Sequence, residues 1–244
     1  LGIDQITASI ERLGLEGVKV ALVDSQDSQG SPQSGVEGAQ KLVQIDGVDV
    51  IVGDFYSSIT SAIATAVAIP NQTLILTGGT SPALTTLNTT TPSFLWQPVP
   101  SDDLQGKVLA QLIGETFGKD AKINVAARND AYGTALAEVF QAAWTEGGGT
   151  IPQFVLYNAE APTLDTEAQQ LVLGEPDGWL FIDFCPTFEK LALPMERTGQ
   201  WDATRSFGAD SLAQCARNGG RSFPGLRATQ ASASGGTSFA AFQD

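Results

Sequence analysis

Apolar positions fall into short blocks whose spacing switches between helical and strand periods. Ile3, Ile6, Ile10 and Leu13 recur every three or four residues and predict an opening helix. Val18 to Val23 is β-branched and predicts a strand ending at Asp24-Ser25. A polar loop rich in Gln, Ser, Gly and Pro leads to a helix with Val36, Ala39, Leu42 and Val43 on one face. Val48 to Val52 reads as a strand covered on both faces. Ser57 or Ser58 is a natural N-cap for a helix carrying Ile59, Ile63 and Val67, and Leu74 to Leu76 is the next strand.

The rhythm restarts after the proline-bracketed stretch Gln97 to Asp103. Leu104, Val108, Leu112 and Ile113 mark a helix, Ile123 to Ala127 a strand, and Tyr132 to Trp144 a helix. Phe154 to Tyr157 is a strand, Thr166 to Leu173 a helix, and Trp179 to Phe184 a strand. A helix from Phe188 to Met195, a strand from Ser206 to Ala209, a short helix from Leu212 and a strand near Gly225 to Thr229 complete the series. Strict βα alternation with short connections predicts an α/β fold: two doubly wound parallel-sheet lobes joined by a hinge. The expected division is lobe one at 1–98, the crossover at 99–103, and lobe two at 104–225. Residues 226–244 then form a return strand and begin to complete lobe one.

The strand at Leu74 runs into Thr77-Gly78-Gly79-Thr80-Ser81. A phosphate loop needs a lysine and a hydroxyl after its second glycine, whereas Pro82 and Ala83 follow Ser81 here. Two readings stay open: a neutral, donor-rich turn that holds a carboxylate or amide, and a plain tight βα connection.

Composition narrows the chemistry. The 244 residues are 42% hydrophobic, which supports a packed core. Lys and Arg total 13 against 27 Asp and Glu, a formal charge of -14 that repels nucleic acid and anionic lipid. With no histidine, the commonest general base and metal ligand is missing, along with every Ser-His and Cys-His nucleophile arrangement. Cys185 and Cys215 are too few for a zinc site; they pair as a disulfide or remain two buried thiols. No cofactor or metal is expected, and binding is favoured over catalysis.

Several strand ends, taken together, resemble a known family. The fragments AQKLVQIDGVDVIVGDFYSS, LTGGTSPALT, NDAYGTALAEVF and FGADSLAQ resemble, in order and spacing, the type I periplasmic solute-binding proteins of ABC importers, in particular the branched-chain amino-acid group. The likeness runs from the first helix to about Phe242. It implies a periplasmic binding protein type I-like fold that binds a ligand between two closing lobes. In the family a serine at a helix start, a small residue and a threonine grip the ligand carboxylate; Ser57, Gly78 and Thr80 occupy those places. The second lobe supplies a tyrosine, an aromatic and an acid for the ligand ammonium, here Tyr132, Phe184 and Asp210. Cys185 is an alternative to Phe184, Asp183 is a spare acid, and Asp210 could instead cap the helix from Ser211.

The family opens with a strand before the helix that begins this sequence, and it continues past TSFAAFQD with more helices. The resemblance therefore implies that this is a portion of a longer polypeptide, whose leader, if it is exported, is not in the sequence given. It further implies an amino acid or related carboxylate as ligand, a membrane permease as partner, and a periplasmic or extracellular location with or without a lipid anchor. A ligand-sensing regulator domain of the same fold and a carboxylate-only α/β enzyme are the rival functions.

Overall fold

In the computed structural model, residues 2–87, 90–213, 215 and 220–231 are described. The chain divides into two units: residues up to Gly79 with Leu84–Pro98, and Thr80–Ala83 with the chain from Val99 onward.

The first unit opens with α1 (Gly2–Arg12), whose apolar face is the one the spacing predicts. Ser31 is extended, its hydroxyl accepts from the Ser34 amide, and Pro32 takes the first helical position, so α2 (Pro32–Gln40) starts there. After one wider turn come β1 (Val50–Val52), α3 (Ser57–Ile63), β2 (Leu74–Leu76), the short α4 (Ala83–Thr86) and β3 (Leu95–Trp96). The sheet is parallel in the order β1-β2-β3, with Ile51 beside Ile75 and Ile75 beside Leu95. These three residues pack with Ile59, Ile63, Val67 and Leu84 as the unit's core.

The strand expected at Val18–Val23 does not form. No strand pairs with this stretch among the described residues, and Val18, Val20, Leu22 and Val23 are 38–71% exposed. β-Propensity measures fit to a neighbouring strand, so a β-branched run without a partner has no ladder to join.

The second unit follows the alternation closely. α5 (Asp102–Phe117) begins where the Ser101 hydroxyl accepts from the Asp103 amide. β4 (Ile123–Arg128), α6 (Gly133–Glu146), β5 (Phe154–Tyr157), α7 (Asp165–Leu171), β6 (Gly178–Ile182) and α8 (Cys185–Thr198) come next. α8 is longer than its apolar stripe and stops at Gly199, which takes the left-handed φ of +67°. β7 (Ser206–Gly208) leads into a 3-10 turn at Asp210–Leu212, and β8 (Arg227–Ala228) is the last strand. β8 pairs with β7, so Arg227–Ala228 extend this sheet, and residues 232–244 lie outside those described.

The five strands are parallel in the order β5-β4-β6-β7-β8. Both faces are covered. Val125, Leu180 and Phe207 pack with α5 and α6 residues on one side, and Ala126, Phe181 and Val155 with α7 and α8 residues on the other. Because β5 and β6 lie on opposite sides of β4, the chain reverses direction between β4 and β6. In sheets of this kind the connections diverge at such a point and leave a crevice at the carboxyl ends of the strands. A disulfide joins Cys185, at the start of α8, to Cys215, with Cα atoms 5.3 Å apart.

Candidate functional site

Three predicted residues stand on the turns that follow β4, β6 and β7. After β4, Asp130 Oδ1 accepts from the amides of Tyr132 (3.0 Å) and Gly133 (2.9 Å), which starts α6 and fixes the tyrosine. Only glycine fits next to it, because a Cβ at Gly133 would lie 2.1 Å from the Arg128 carbonyl oxygen. After β6, Phe184 is half-buried at the N-cap of α8, its ring centroid 5.4 Å from that of Tyr132. Cys185, the alternative at this place, is tied into the disulfide.

Asp210 follows β7. The N-cap position of the 3-10 turn is Ala209, and among the described residues the Asp210 side chain accepts no bond from that turn. Instead Oδ1 accepts from the Tyr132 hydroxyl (3.0 Å) and from Gln105 Nε2 (3.1 Å), and Gln105 also donates to Thr229 Oγ1 (2.9 Å). Two donors hold one oxygen of a partly exposed carboxylate, and Oδ2 accepts no hydrogen bond from the described residues. Burial and the nearby Asp210 charge hold the Tyr132 hydroxyl well above its ordinary pKa, so it stays a donor. Ser211 completes the turn by donating to the Asp183 carbonyl (2.6 Å).

Asp183 is spent elsewhere. It is fully buried and accepts from Tyr157 Oη (2.5 Å) and from the Phe184 amide (2.7 Å), with Arg128 Nη1 at 3.6 Å. Burial raises its carboxyl to about 7 despite these partners. The Arg128 guanidinium lies 4.6 Å from the centroid of the Phe184 ring and pairs with Asp130.

In the first unit, Ser57 is the first residue of α3, preceded by Tyr56 at the N-cap position, so the cap predicted at Ser57 or Ser58 lies one residue earlier. The two glycines of the turn are explained by close approach. A Cβ at Gly79 would meet Ser57 Oγ at 3.1 Å and Cα at 3.2 Å, and one at Gly78 would meet Phe55 at 3.1 Å. Thr77 is structural: its hydroxyl donates to the Asp54 carbonyl (2.8 Å) and accepts from the Gly79 amide (2.9 Å). Thr80 belongs to the second unit, where its hydroxyl donates to Asp102 Oδ2 at 3.1 Å.

The structure thus brings Tyr132, Phe184 and Asp210 together at the carboxyl ends of β4, β6 and β7, and adds an unforeseen partner of Asp210, Gln105. The sequence held only a weak signal for it, a glutamine in the first turn of an amphipathic helix. A separate cavity of about 360 Å³ lies beside the disulfide, lined by residues including Phe188, Leu212, Arg221 and Phe223, and contains none of the predicted residues. Among the described residues no group of three or more Cys, Asp or Glu is placed to hold a metal, and no helix is long and apolar enough to cross a membrane.

Comparison with known proteins agrees with this architecture. No curated protein sequence matches the chain. Among solved structures it is similar to a leucine binding protein, LivK, from Thermotoga maritima, with TM-score 0.70 and 19% identity over 85% of this chain and 57% of that one. It is also similar to LivJ from Streptococcus pneumoniae in complex with isoleucine, with TM-score 0.68 and 18% identity over 86% and 58%. A third is an ABC transporter solute binding protein from Rhodopseudomonas palustris in complex with 3,4-dihydroxybenzoic acid, with TM-score 0.67 and 17% identity over 86% and 57%. These likenesses establish the periplasmic binding protein type I fold, and the chain spans a little under three fifths of each of those proteins. The family model described as periplasmic binding protein matches residues 2–192, and this chain belongs to that family.

Proposed function

We propose that this chain is the ligand-binding portion of an extracytoplasmic receptor of an ABC importer, and that it takes an amino acid or a closely related small carboxylate. One observation carries the reading. Asp210 is held through Oδ1 by Tyr132 and Gln105 and keeps Oδ2 for a positive group, beside the Tyr132 and Phe184 rings. An ammonium meets Oδ2, an apolar side chain lies along the rings, and a ligand carboxylate is received by Thr80. In the first unit the candidate donors are Ser57 and Gly78. The role is binding and delivery to a membrane permease, without chemistry on the ligand.

The branched-chain amino acids are the first choice of ligand, because the acid and the rings match an ammonium and an apolar side chain. The solved neighbours, which bind amino acids and benzoates, support the same general class. A thermal-shift screen of the twenty amino acids and of hydroxylated benzoates tests this, since a ligand that binds only the folded state raises the melting temperature. Leucine, isoleucine or valine is expected to give the largest rise. A rise with benzoates alone would remove the ammonium from the account. Turnover of any ligand in the mixture would remove the receptor role.

A further inference from the structure

Asp102, the first residue of α5, is fully buried. Its amide donates to the Thr80 carbonyl (3.0 Å) and its Oδ2 accepts from the Thr80 hydroxyl (3.1 Å), a reciprocal clasp within the second unit. Its other oxygen, Oδ1, is buried and has no hydrogen-bond partner among the described residues. Leaving a charged oxygen so is costly, and native structures tolerate it where the group has another use.

The clasp conflicts with a donor role for Thr80. A hydroxyl has one proton, and while Asp102 is ionised that proton points to Oδ2. A carboxylate arriving at the partly exposed Thr80 needs the same proton. We propose that Asp102 is a proton-coupled positioning residue: it takes up a proton from water as a carboxylate ligand binds, donates from its own hydroxyl to Thr80 Oγ1, and so turns the Thr80 proton toward the ligand. The balance is one proton from solvent per carboxylate bound, with no covalent change. This rests on the reading that the ligand carries a carboxylate.

The surroundings favour such uptake near neutrality. Burial first, then the charges of Asp210 on the turn after β7 and Asp103 on α5 itself, raise the Asp102 carboxyl to about 7, against the hydrogen bond from Thr80. Tyr132, at the start of α6, is the remaining titratable neighbour and stays neutral. The amino end of α5 favours the ionised form, and no lysine or arginine is among the charges that act on Asp102. A ligand carboxylate adds a further negative charge and drives protonation.

The test is calorimetric titration of L-isoleucine and of 3,4-dihydroxybenzoate, near pH 5.5 and near pH 8, in buffers of different ionisation enthalpy. The wild-type chain is expected to bind about tenfold more weakly at the higher pH and to take up about one proton there. Asp102→Asn, whose amide donates to Thr80 permanently, is expected to bind at both pH values as wild type does at the lower one, with no proton uptake. Asp103→Asn, which removes one of the charges that raise Asp102, keeps a pH dependence and moves it to lower pH. Thr80→Val, the second variant should Asp102→Asn not fold, is expected to bind weakly at both pH values, with a smaller difference between them than wild type shows. Equal wild-type affinity at both pH values overturns the proposal and leaves the carboxylate reading standing. A pH dependence that survives in Asp102→Asn also overturns it and assigns the proton to another group, such as Asp183. Failure of both probes to bind at either pH overturns the carboxylate reading and the proposal with it.

Discussion

Asp210→Asn is expected to weaken amino-acid binding by roughly 30-fold to several thousand-fold, the range for removing one partner of a desolvated ion pair at about 2 to 5 kcal/mol. Asparagine is the informative replacement. Its carbonyl still accepts from Tyr132 and Gln105, the two donors that hold Oδ1, while the charge offered by Oδ2 is gone. Alanine would also strand those donors and mix a folding defect into the result. Calorimetric titration gives the affinity, and thermal melting of the ligand-free variant gives the stability. A near-normal melt with weak binding supports the assignment. An unchanged affinity would leave Asp210 as a structural acceptor for Gln105 and Tyr132, and would make a ligand without an amine the better choice.

The second large effect is on stability against pH. Asp102 and Asp183 are both fully buried, and in the folded chain both titrate at about 7 instead of near 3.8, chiefly because of burial. Between these two values the folded state holds protons that the unfolded chain has released. Their stabilising contribution is complete below the unfolded value and is lost as the pH rises through 7. A carboxyl raised this far contributes at most about 4 kcal/mol, and each kcal/mol moves the melting temperature by about 2 to 4 °C for a domain of this size. The ligand-free protein is therefore expected to melt higher near pH 5.5 than near pH 8, opposite to a protein held by salt-bridged carboxylates. Asp183→Asn should remove part of the slope, and a melting temperature that climbs toward pH 8 would show that these acids are charged in the fold.

Most of the architecture was legible because local pattern and long-range pairing agree. The second unit shows this best: Ile123–Ala127, Phe154–Tyr157, Trp179–Phe184 and Ser206–Ala209 each declare a buried strand, and parallel pairing then buries both faces. The disagreements arise where pairing decides. Val18–Val23 has the residues of a strand and, among the described residues, no ladder to join. Leu95–Trp96, between Pro92 and Pro98, has no visible period and becomes β3 through its register with Ile75 and Leu76.

The site divides in the same way. Tyr132, Phe184 and Asp210 stand at strand ends, where the resemblance and the rule for ligand crevices coincide. Gln105 lies 105 residues from Asp210, and Asp183 finds Tyr157 26 residues back, so neither role has a local signature. The glycine turn shows the limit most clearly. Gly78 and Gly79 read either as a donor-rich turn for a ligand or as a tight connection, and the close approach of Phe55 and Ser57 accounts for both glycines without a ligand. The hydroxyl of Thr80, read as a ligand donor, already has a partner in Asp102.

The central claim is that a small amino acid is held at the carboxyl ends of β4, β6 and β7. Titrating isoleucine into the isotope-labelled protein and following its backbone amide resonances locates the ligand without presupposing the contacts. Saturable shifts are predicted at Tyr132 and Gly133, at Phe184, at Asp210 and Ser211, and at Thr80 with Asp102. Saturable shifts confined to Arg221, Phe223 and their neighbours around the cavity beside the disulfide, with the strand-end amides unmoved, would contradict the account.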